Sequence, residues 1–200
     1  MTAPPSPRVA GLVLMGGEGS RMGGADKALL DLGGRPILAH ALDRFRPQVG
    51  TLALSANGDL SRLAAFGLPA LPDPPDGPGG PLSGVLAGLA FAEARGALWL
   101  ATIPGDAAHP PLDLVARLLA AAGEAPAAAS TARGVEPLHA LWPVAAAMRL
   151  RALVGEGVAS PKRALERLGA ALVPFDDDRG FRDVDTPADL DAARRSLAGS

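Results

Sequence analysis

Apolar residues along the chain follow two alternating patterns, and the alternation predicts the order of secondary-structure elements. Short apolar runs bounded by glycine, proline, asparagine or aspartate predict strands. Stretches in which apolar residues recur every three or four positions predict helices between those strands. The predicted strands span residues 9–15, 51–56, 68–71, 97–103, 125–131, 136–143 and 171–175, and the main predicted helices span 37–45, 82–94, 111–122 and 143–154.

This order of elements predicts an α/β fold with a single doubly wound, mostly parallel sheet and helices on both faces. The run 97–103 is apolar on both faces, so we expect it at the centre of the sheet. Ligands of such sheets gather outside the carboxyl ends of the strands. We therefore expect the loop after the first strand, Ser55, Asn57, Asp73 and Asp106 to face one cleft.

The loop after the first strand has the composition of a polyphosphate site. Gly16 and Gly17 lack Cβ atoms, so backbone N–H groups there can approach an anion closely. Arg21 offers a planar guanidinium fork and Lys27 a point charge. The spacing differs from both common phosphate loops, since Met22 replaces the third glycine of G-x-G-x-x-G and the loop has no Gly-Lys-Ser/Thr.

Two aspartates are candidate metal ligands because each follows a predicted strand. Asp106 comes directly after the central strand, where a bound cation would solvate its carboxylate; an ordinary turn-forming aspartate is the alternative. Asp185 precedes a Thr-Pro pair that suits the start of a helix. We expect it within about 8 Å of the Asp106 carboxylate, sharing a metal or an acceptor phosphate. Support of the Thr186 cap is the alternative, and residues 176–178 are interpreted as a solvated acidic turn.

Composition narrows the class of protein. The 200 residues are 48% hydrophobic, which is enough for one domain, expected over residues 9–198 after a disordered leader at 1–8. The net charge of −2 gives no basic surface for nucleic acid. Without cysteine, neither disulfides nor thiolate metal sites can form. No apolar run is long enough to span a membrane, so we expect a cytoplasmic enzyme.

Several motifs together resemble one enzyme family. The stretch from Gly16 to Lys27, which reads G-G-E-G-S-R-M-G-G-A-D-K, resembles the signature of nucleotidyltransferases that take a nucleoside monophosphate from a nucleoside triphosphate. Its Arg-Met-Gly-Gly and Asp-Lys elements are most similar to the molybdenum cofactor guanylyltransferases. Residues 80–84 resemble the G-P-L-x-G element of that family, 136–141 resemble x-P-L-x-A-L/V, and 183–190 resemble D/N-x-D/N-T-P-E-D-L.

The resemblance implies a reaction and its participants. GMP would pass from GTP to the terminal phosphate of Mo-molybdopterin, with Mg²⁺ as cofactor and pyrophosphate as the leaving group. Molybdoenzyme apoproteins or their chaperones would be further partners, and neither nucleic acid nor a membrane would be involved.

The same resemblance implies roles for individual residues. Arg21 would contact the β- and γ-phosphates, Lys27 the α-phosphate, and Asp106 the Mg²⁺. Backbone N–H groups from Met15 to Gly19 would bind phosphate oxygens. Guanine and ribose would be recognised by residues at the strand ends, namely Leu14, Met15, Gly16, Ser55, Asn57 and Asp73.

Departures from the family pattern leave alternatives open. Ser55 stands where the guanylyltransferases often have Asn, Glu136 where relatives often have His, and Asp183 and Asp185 where they often have Asn. A molybdopterin cytidylyltransferase and a sugar-phosphate nucleotidyltransferase are the enzymatic alternatives. A nucleotide-binding module without turnover is the third alternative, although binding alone would not require Arg21, Lys27 and Asp106 together.

Overall fold

A computed structural model describes residues 6–15, 26–75, 77–182, 184 and 189–190. Nine strands are found in this part of the chain. Their bounds are β1 Ser6–Leu14, β2 Asp31–Leu32, β3 Arg35–Pro36, β4 Val49–Ser55, β5 Ala70–Leu71, β6 Trp99–Pro104, β7 Ala127–Thr131, β8 Gly134–Pro143 and β9 Ala171–Pro174.

Seven of the described strands form one sheet, in the order β5-β4-β1-β6-β8-β7-β9. β6 is the middle strand of the seven, and β1 beside it pairs in parallel with β4 on one side and β6 on the other. β8 runs antiparallel to both of its neighbours, whereas β9 is parallel to β7. The remaining two strands form a short antiparallel hairpin. The sheet is therefore mostly parallel, which confirms the predicted α/β fold.

Helices cover both faces of the sheet. Their bounds are α1 Ile37–Phe45, α2 Pro81–Ala94, α3 Leu114–Ala122, α4 Ala147–Gly155 and α5 Pro161–Arg167. Short 3₁₀ turns occupy Lys27–Leu29, Arg46–Gln48, Leu60–Phe66, Val144–Ala146 and Arg179–Phe181. Apart from Ile37, the buried apolar residues of α1 belong with those of α3 to one cluster, and those of α2, α4 and α5 belong to another. The sheet separates two hydrophobic cores, as a doubly wound fold requires.

The start of the chain differs from the prediction. β1 begins at Ser6, which pairs with Val49, and the N–H of Leu98 donates to the carbonyl of Arg8 at 2.8 Å. Residues 6–8 therefore belong to the sheet, and their prediction as part of a disordered leader was wrong. The prediction rested on the prolines and on the lack of apolar residues, whereas the strand forms through the backbone groups that the non-proline residues and the carbonyls still offer.

Other element boundaries shift by a few residues. β6 begins at Trp99 because residues 97 and 98 still turn the chain out of α2, with Leu98 exposed. α3 begins only at Leu114, after the turn that follows Pro111. In the described part of the chain, no helix is both long and apolar enough to cross a membrane.

Candidate functional site

The carboxyl ends of four parallel strands lie side by side. The N–H of Met15 donates to the carbonyl of Ser55 at 3.0 Å, and the N–H of Gly105 donates to the carbonyl of Leu14 at 2.9 Å. On the other side of β4, the N–H of Ala56 donates to the carbonyl of Leu71 at 3.0 Å. The ladder thus continues past the strand ends, and it brings the predicted residues on β1, β4, β5 and β6 to one edge of the sheet.

Met15 differs from its predicted role in one respect. Its N–H group is used by the carbonyl of Ser55, so this amide cannot also bind a phosphate oxygen. The pairing of β1 with β4 thus extends one residue beyond the strand, and the predicted place of Met15 in the nucleotide site stays a prediction. The remaining amides of the proposed phosphate cradle, at 16–19, lie outside the described residues.

A glycine after β6 joins the Lys27 turn to the sheet. A Cβ atom on Gly105 would lie 3.0 Å from Sδ of Met15 and 3.2 Å from Cβ of Ala28. Ala28 is buried in the 3₁₀ turn that begins at Lys27, and the Asp26 carboxylate caps that turn by accepting its N–H at 3.2 Å. Close packing at Gly105 therefore places the turn that carries Lys27 against the end of the central strand.

The start of α2 packs against the same edge. A Cβ on Gly84 would lie 2.4 Å from Oγ of Ser55 and 2.8 Å from Cδ2 of Leu14, so only glycine fits. The Ser55 side chain is correspondingly buried between β4 and α2. Its predicted part in nucleotide binding stays a prediction, and its hydroxyl faces α2 in this structure. The Gly84 packing is what ties the Gly80–Gly84 motif to the site.

Asn57 and Asp73 are held together across two loops. The Asn57 side-chain carbonyl accepts the backbone N–H of Asp73 at 2.9 Å. This bond commits the amide oxygen to the protein and leaves the amide NH₂ as the polar group that Asn57 can direct elsewhere. Asn57 is exposed and Asp73 is partly exposed, so both lie at the surface of the cleft.

Asp106 is partly buried at the tip of the central strand. Its backbone carbonyl accepts the N–H of Val184 at 3.3 Å, and Val184 is buried beside Leu32, Ile37 and Ala108. Val184 directly precedes Asp185 in the sequence. Asp185 itself lies outside the described residues, so the predicted 8 Å separation stays a prediction.

The far side of the edge is built from the β7–β8 hairpin and the segment 178–182. Arg133, at the hairpin tip, donates to the Glu136 carboxylate at 3.1 Å and to the Phe181 carbonyl at 3.0 Å. Its Nε lies 3.8 Å from a carboxylate oxygen of Asp178. Sequence reasoning missed this arginine because Asp178 and Phe181, the partners that tie the hairpin to the other segment, lie far from it in the sequence.

The acidic turn at 176–178 also has arginine partners. Arg179 pairs with Asp177 at 2.7 Å, and its hydrogen bonds lower the pKa of that carboxyl to about 2. Arg182 donates to both carboxylate oxygens of Asp178, at 3.2 and 3.1 Å. These carboxylates balance arginines of the same segment.

Two histidines near this edge favour the neutral form. His139 is buried, with its ring centroid 4.8 Å from that of Phe181, and burial followed by the Arg133 charge lowers its pKa to about 3. Burial also lowers the pKa of His109, with smaller contributions from Arg44 and His40. In the described part of the chain, neither Nε2 of His139 nor Nε2 of His109 has a hydrogen-bond partner.

Several predicted residues cannot be located in the same way. Gly16, Gly17 and Arg21 of the loop, and both Asp183 and Asp185 of the second motif, lie outside the described residues. Their roles stay predictions. The described edge holds the other candidates: Leu14, Met15, Lys27, Ser55, Asn57, Asp73 and Asp106.

A polar edge at the carboxyl ends of a doubly wound sheet is the nucleotide-binding arrangement of many α/β enzymes. Comparison with known proteins defines the class: residues 11–172 match the MobA-like NTP transferase domain. The solved structure of molybdopterin-guanine dinucleotide biosynthesis protein A from Archaeoglobus fulgidus superposes with a TM-score of 0.76 at 23% identity, covering 96% of this chain and 100% of that one.

Sequence relatives define the particular group within that class. A molybdenum cofactor guanylyltransferase of Cereibacter sphaeroides is 48% identical over 95% of this chain and 97% of its own. Another, from Acidiphilium cryptum, is 45% identical over 96% of this chain and 97% of its own. The chain therefore belongs to the molybdenum cofactor guanylyltransferase family, among the MobA-like nucleotidyltransferases.

Proposed function

We propose that this protein transfers GMP from GTP to the terminal phosphate of Mo-molybdopterin, in the cytoplasm and with Mg²⁺ as cofactor. The observation that carries the proposal is the set of strand ends at one edge, where the turn of Lys27, the Asn57–Asp73 pair and Asp106 lie together. Family membership supports the choice of reaction, since near full-length relatives carry the name of this activity.

The nucleoside end of GTP is proposed to bind beside β4 and β5. Asn57 has its amide oxygen occupied by Asp73, so its NH₂ is available to donate to an acceptor on the base or ribose. The Asp73 carboxylate is an acceptor at the same place and suits a guanine N–H or a ribose hydroxyl. Backbone groups at residues 14–16 would complete the pocket, except for the Met15 N–H.

Charge on the triphosphate is proposed to be balanced from the loop. Arg21 would bind the β- and γ-phosphates, and Lys27 the α-phosphate where negative charge develops. An oxygen of the molybdopterin phosphate attacks the α-phosphorus, a new phosphorus–oxygen bond forms, and the bond to the β-phosphate oxygen breaks as pyrophosphate leaves. The protein aligns the two substrates and takes no covalent part, so orientation and electrostatics would provide most of the rate.

The residues of the edge fit a magnesium ion that also binds substrate phosphates. Mg²⁺ prefers oxygen ligands and takes one or two carboxylates with phosphate and water oxygens. Asp106 offers one such carboxylate, and Asp185 follows a residue hydrogen-bonded to Asp106. No group of three His, Cys, Asp or Glu side chains occurs in the described part of the chain, so the donor set there is not an all-protein cage. Bound at Asp106, the ion would neutralise charge on the phosphate oxygens.

Turnover with each of the four NTPs and Mo-molybdopterin tests the proposal. We expect dinucleotide and pyrophosphate with GTP, and at least tenfold lower kcat/KM with CTP or UTP, a difference of about 1.4 kcal/mol. Chelation with EDTA should abolish turnover, and added Mg²⁺ should restore it. CTP equal to GTP would identify a cytidylyltransferase instead. GTP binding without any transfer would identify a nucleotide-binding module, and molybdoenzyme apoproteins or their chaperones could then be tested as partners.

A further inference from the structure

Arg62 connects two parts of the nucleotide side that are far apart in the sequence. It lies in the 3₁₀ turn Leu60–Phe66 between β4 and β5, and its side chain is 30% exposed. The sequence patterns predict no role for it. Its guanidinium reaches both the turn that carries Lys27 and the loop that carries Asn57.

The first contact is with Asp26, the residue directly before Lys27. Nε of Arg62 lies 3.4 Å from Oδ2 of Asp26, whose side chain is only 13% exposed. The other carboxylate oxygen, Oδ1, accepts the N–H of Ala28 and caps the 3₁₀ turn of Lys27. One carboxylate therefore joins Arg62 to the backbone that sets the direction of the Lys27 side chain.

The second set of contacts is with the loop after β4. Nη1 of Arg62 donates to the carbonyl of Asn57 at 3.2 Å and also to the carbonyl of Asp59. Asp59 caps the Arg62 turn in its own right, because its carboxylate accepts the N–H of Ser61 at 2.9 Å. Asn57, in turn, accepts the N–H of Asp73. The guanidinium thus lies between the Asp26 carboxylate and the loop of the Asn57–Asp73 pair.

We propose that Arg62 is a positioning residue for GMP transfer, which fixes the Lys27 turn relative to the Asn57–Asp73 pair. The inference depends on the proposed function, in which Lys27 contacts the α-phosphate and Asn57 and Asp73 contact the nucleoside. The distance between these two groups must match the distance between nucleoside and α-phosphate within one GTP molecule. A link between the two loops keeps that match before the nucleotide binds, which lowers the ordering cost of binding and of reaction.

The chemistry of the link explains why arginine is suited to it. The planar guanidinium presents several N–H groups in a fixed fork, so Nε and Nη1 can serve different partners in one orientation. A lysine ammonium has the same charge without this geometry. The inference therefore predicts that Arg62→Lys, although it keeps the charge, will not restore the function of Arg62.

Steady-state kinetics and GTP binding test the inference. Arg62→Ala should lower kcat/KM for GTP about tenfold, with a higher KM as well as a lower kcat, because both ends of the substrate lose alignment. Arg62→Lys should recover less than half of the loss on a logarithmic scale. Arg35→Ala is the matched control, since it removes an exposed ion pair to Asp43 at 2.9 Å that contacts none of the predicted site residues. The kcat/KM of the Arg35→Ala control should stay within about twofold of the wild-type value.

A double-mutant cycle separates positioning from general stability. Asp26→Asn keeps an oxygen that can cap the Lys27 turn but loses the charge that attracts Arg62. If the two side chains act as one unit, the double variant Arg62→Ala, Asp26→Asn should have a kcat/KM for GTP no more than about twofold below that of the less active single variant. Thermal unfolding of each variant serves as the fold check. A purely structural Arg62 would lower Tm while leaving the KM for GTP unchanged.

The outcomes are distinguishable from a failure of the proposed function. A wild-type protein that does not transfer GMP overturns the proposed function, and calorimetric GTP binding by the same variants still tests the Arg62 link. A wild-type enzyme that is active, together with an Arg62→Ala variant whose kcat and KM lie within twofold of it, overturns the inference alone. Fully multiplicative effects of the two substitutions would also overturn it.

Discussion

The two sides of the site are built on different principles. On the nucleotide side, strands β5, β4, β1 and β6 are parallel, and their ends are joined by backbone hydrogen bonds and by glycine packing at Gly84 and Gly105. On the far side, β8 runs antiparallel, and ion pairs of Arg133 hold its hairpin to the segment 178–182. Backbone geometry aligns the strand ends of the first side, where the Arg62–Asp26 pair links only the loops, whereas side-chain charge holds the second side together.

This difference bears on how each side can vary. A backbone ladder depends little on side-chain identity, so the nucleotide side can keep one geometry while sequences diverge. Partly exposed ion pairs contribute little stability, and single substitutions can change them. We therefore expect the side proposed to bind GTP to be the more rigid one, and the far side to be the more adaptable one.

The largest expected effect is on the nucleotide side, at the phosphate loop. Arg21→Ala should lower kcat/KM for GMP transfer by about 100-fold or more, as loss of a preorganised charge donor usually does. Circular dichroism should be unchanged, because Arg21 is predicted to lie in a loop, which contributes little to the secondary structure that this measurement reports. Activity within about twofold of wild type would contradict the role assigned to Arg21 and, with it, the phosphate loop.

The packing at Gly84 should have the next largest effect, and it is measured as stability. Gly84→Ala would place Cβ 2.4 Å from Oγ of the buried Ser55, so the helix or the strand end must shift. Such overpacking costs roughly 2 kcal/mol in the free energy of unfolding, measurable by urea denaturation.

Gly155→Ala is the matched control for Gly84→Ala. Gly155 also lies in a helix, and a Cβ there would have nothing within 4 Å. The control should be neutral or more stable by up to about 1 kcal/mol, since alanine favours helix. Equal behaviour of the two variants would show that the Gly84 packing is not what fixes this edge.

How well the sequence predicts each side follows from the same difference. The fold and the nucleotide edge could be predicted, because apolar periodicity gives the strands and parallel pairing brings their carboxyl ends together. Met15 shows the limit of that rule. Its N–H was assigned to phosphate although Met15 lies within the predicted strand 9–15, and in the structure that N–H continues the β1–β4 pairing to the carbonyl of Ser55.

The arginines that link loops were missed for a different reason. Arg62 and Asp26 are 36 positions apart, and Arg133 and Phe181 are 48 apart, so no local pattern connects them. Charged side chains are also common on solvated surfaces, which makes any one of them uninformative without coordinates. The Ser55 environment is a similar case, because only the close approach of Gly84 shows that its hydroxyl is buried.

Stability on the far side should depend on pH through His139. In the folded protein its pKa is about 3, against an ordinary value of 6.5, because burial and the Arg133 charge disfavour the imidazolium. Between these two values the unfolded chain binds a proton that the folded protein does not, so stability falls as pH decreases below 6.5. The slope approaches about 1.4 kcal/mol per pH unit.

Urea denaturation between pH 7.5 and 5 would measure this dependence, and His139→Leu should flatten it. His109→Gln serves as the comparison. Burial lowers the pKa of His109 in the same direction, but His109 is only partly buried. His109→Gln should flatten the pH dependence of the free energy of unfolding less than His139→Leu does. An unchanged slope in His139→Leu would contradict the assignment of a buried neutral imidazole.

The smallest expected effect tests the far side directly. Arg133 joins Glu136, Asp178 and the carbonyl of Phe181, and the chain continues from there to Val184, whose N–H binds the Asp106 carbonyl. Because Arg133 is half exposed, its loss should cost little stability, about 1 kcal/mol or less.

If the far side binds the acceptor, Arg133→Ala should raise KM for Mo-molybdopterin about fivefold while changing KM for GTP by less than twofold. Arg62→Ala should show the converse, with the larger change in KM for GTP. Reciprocal changes in the two variants would show that each arginine serves its own substrate, whereas equal changes in both constants would show that the two sides act as one unit.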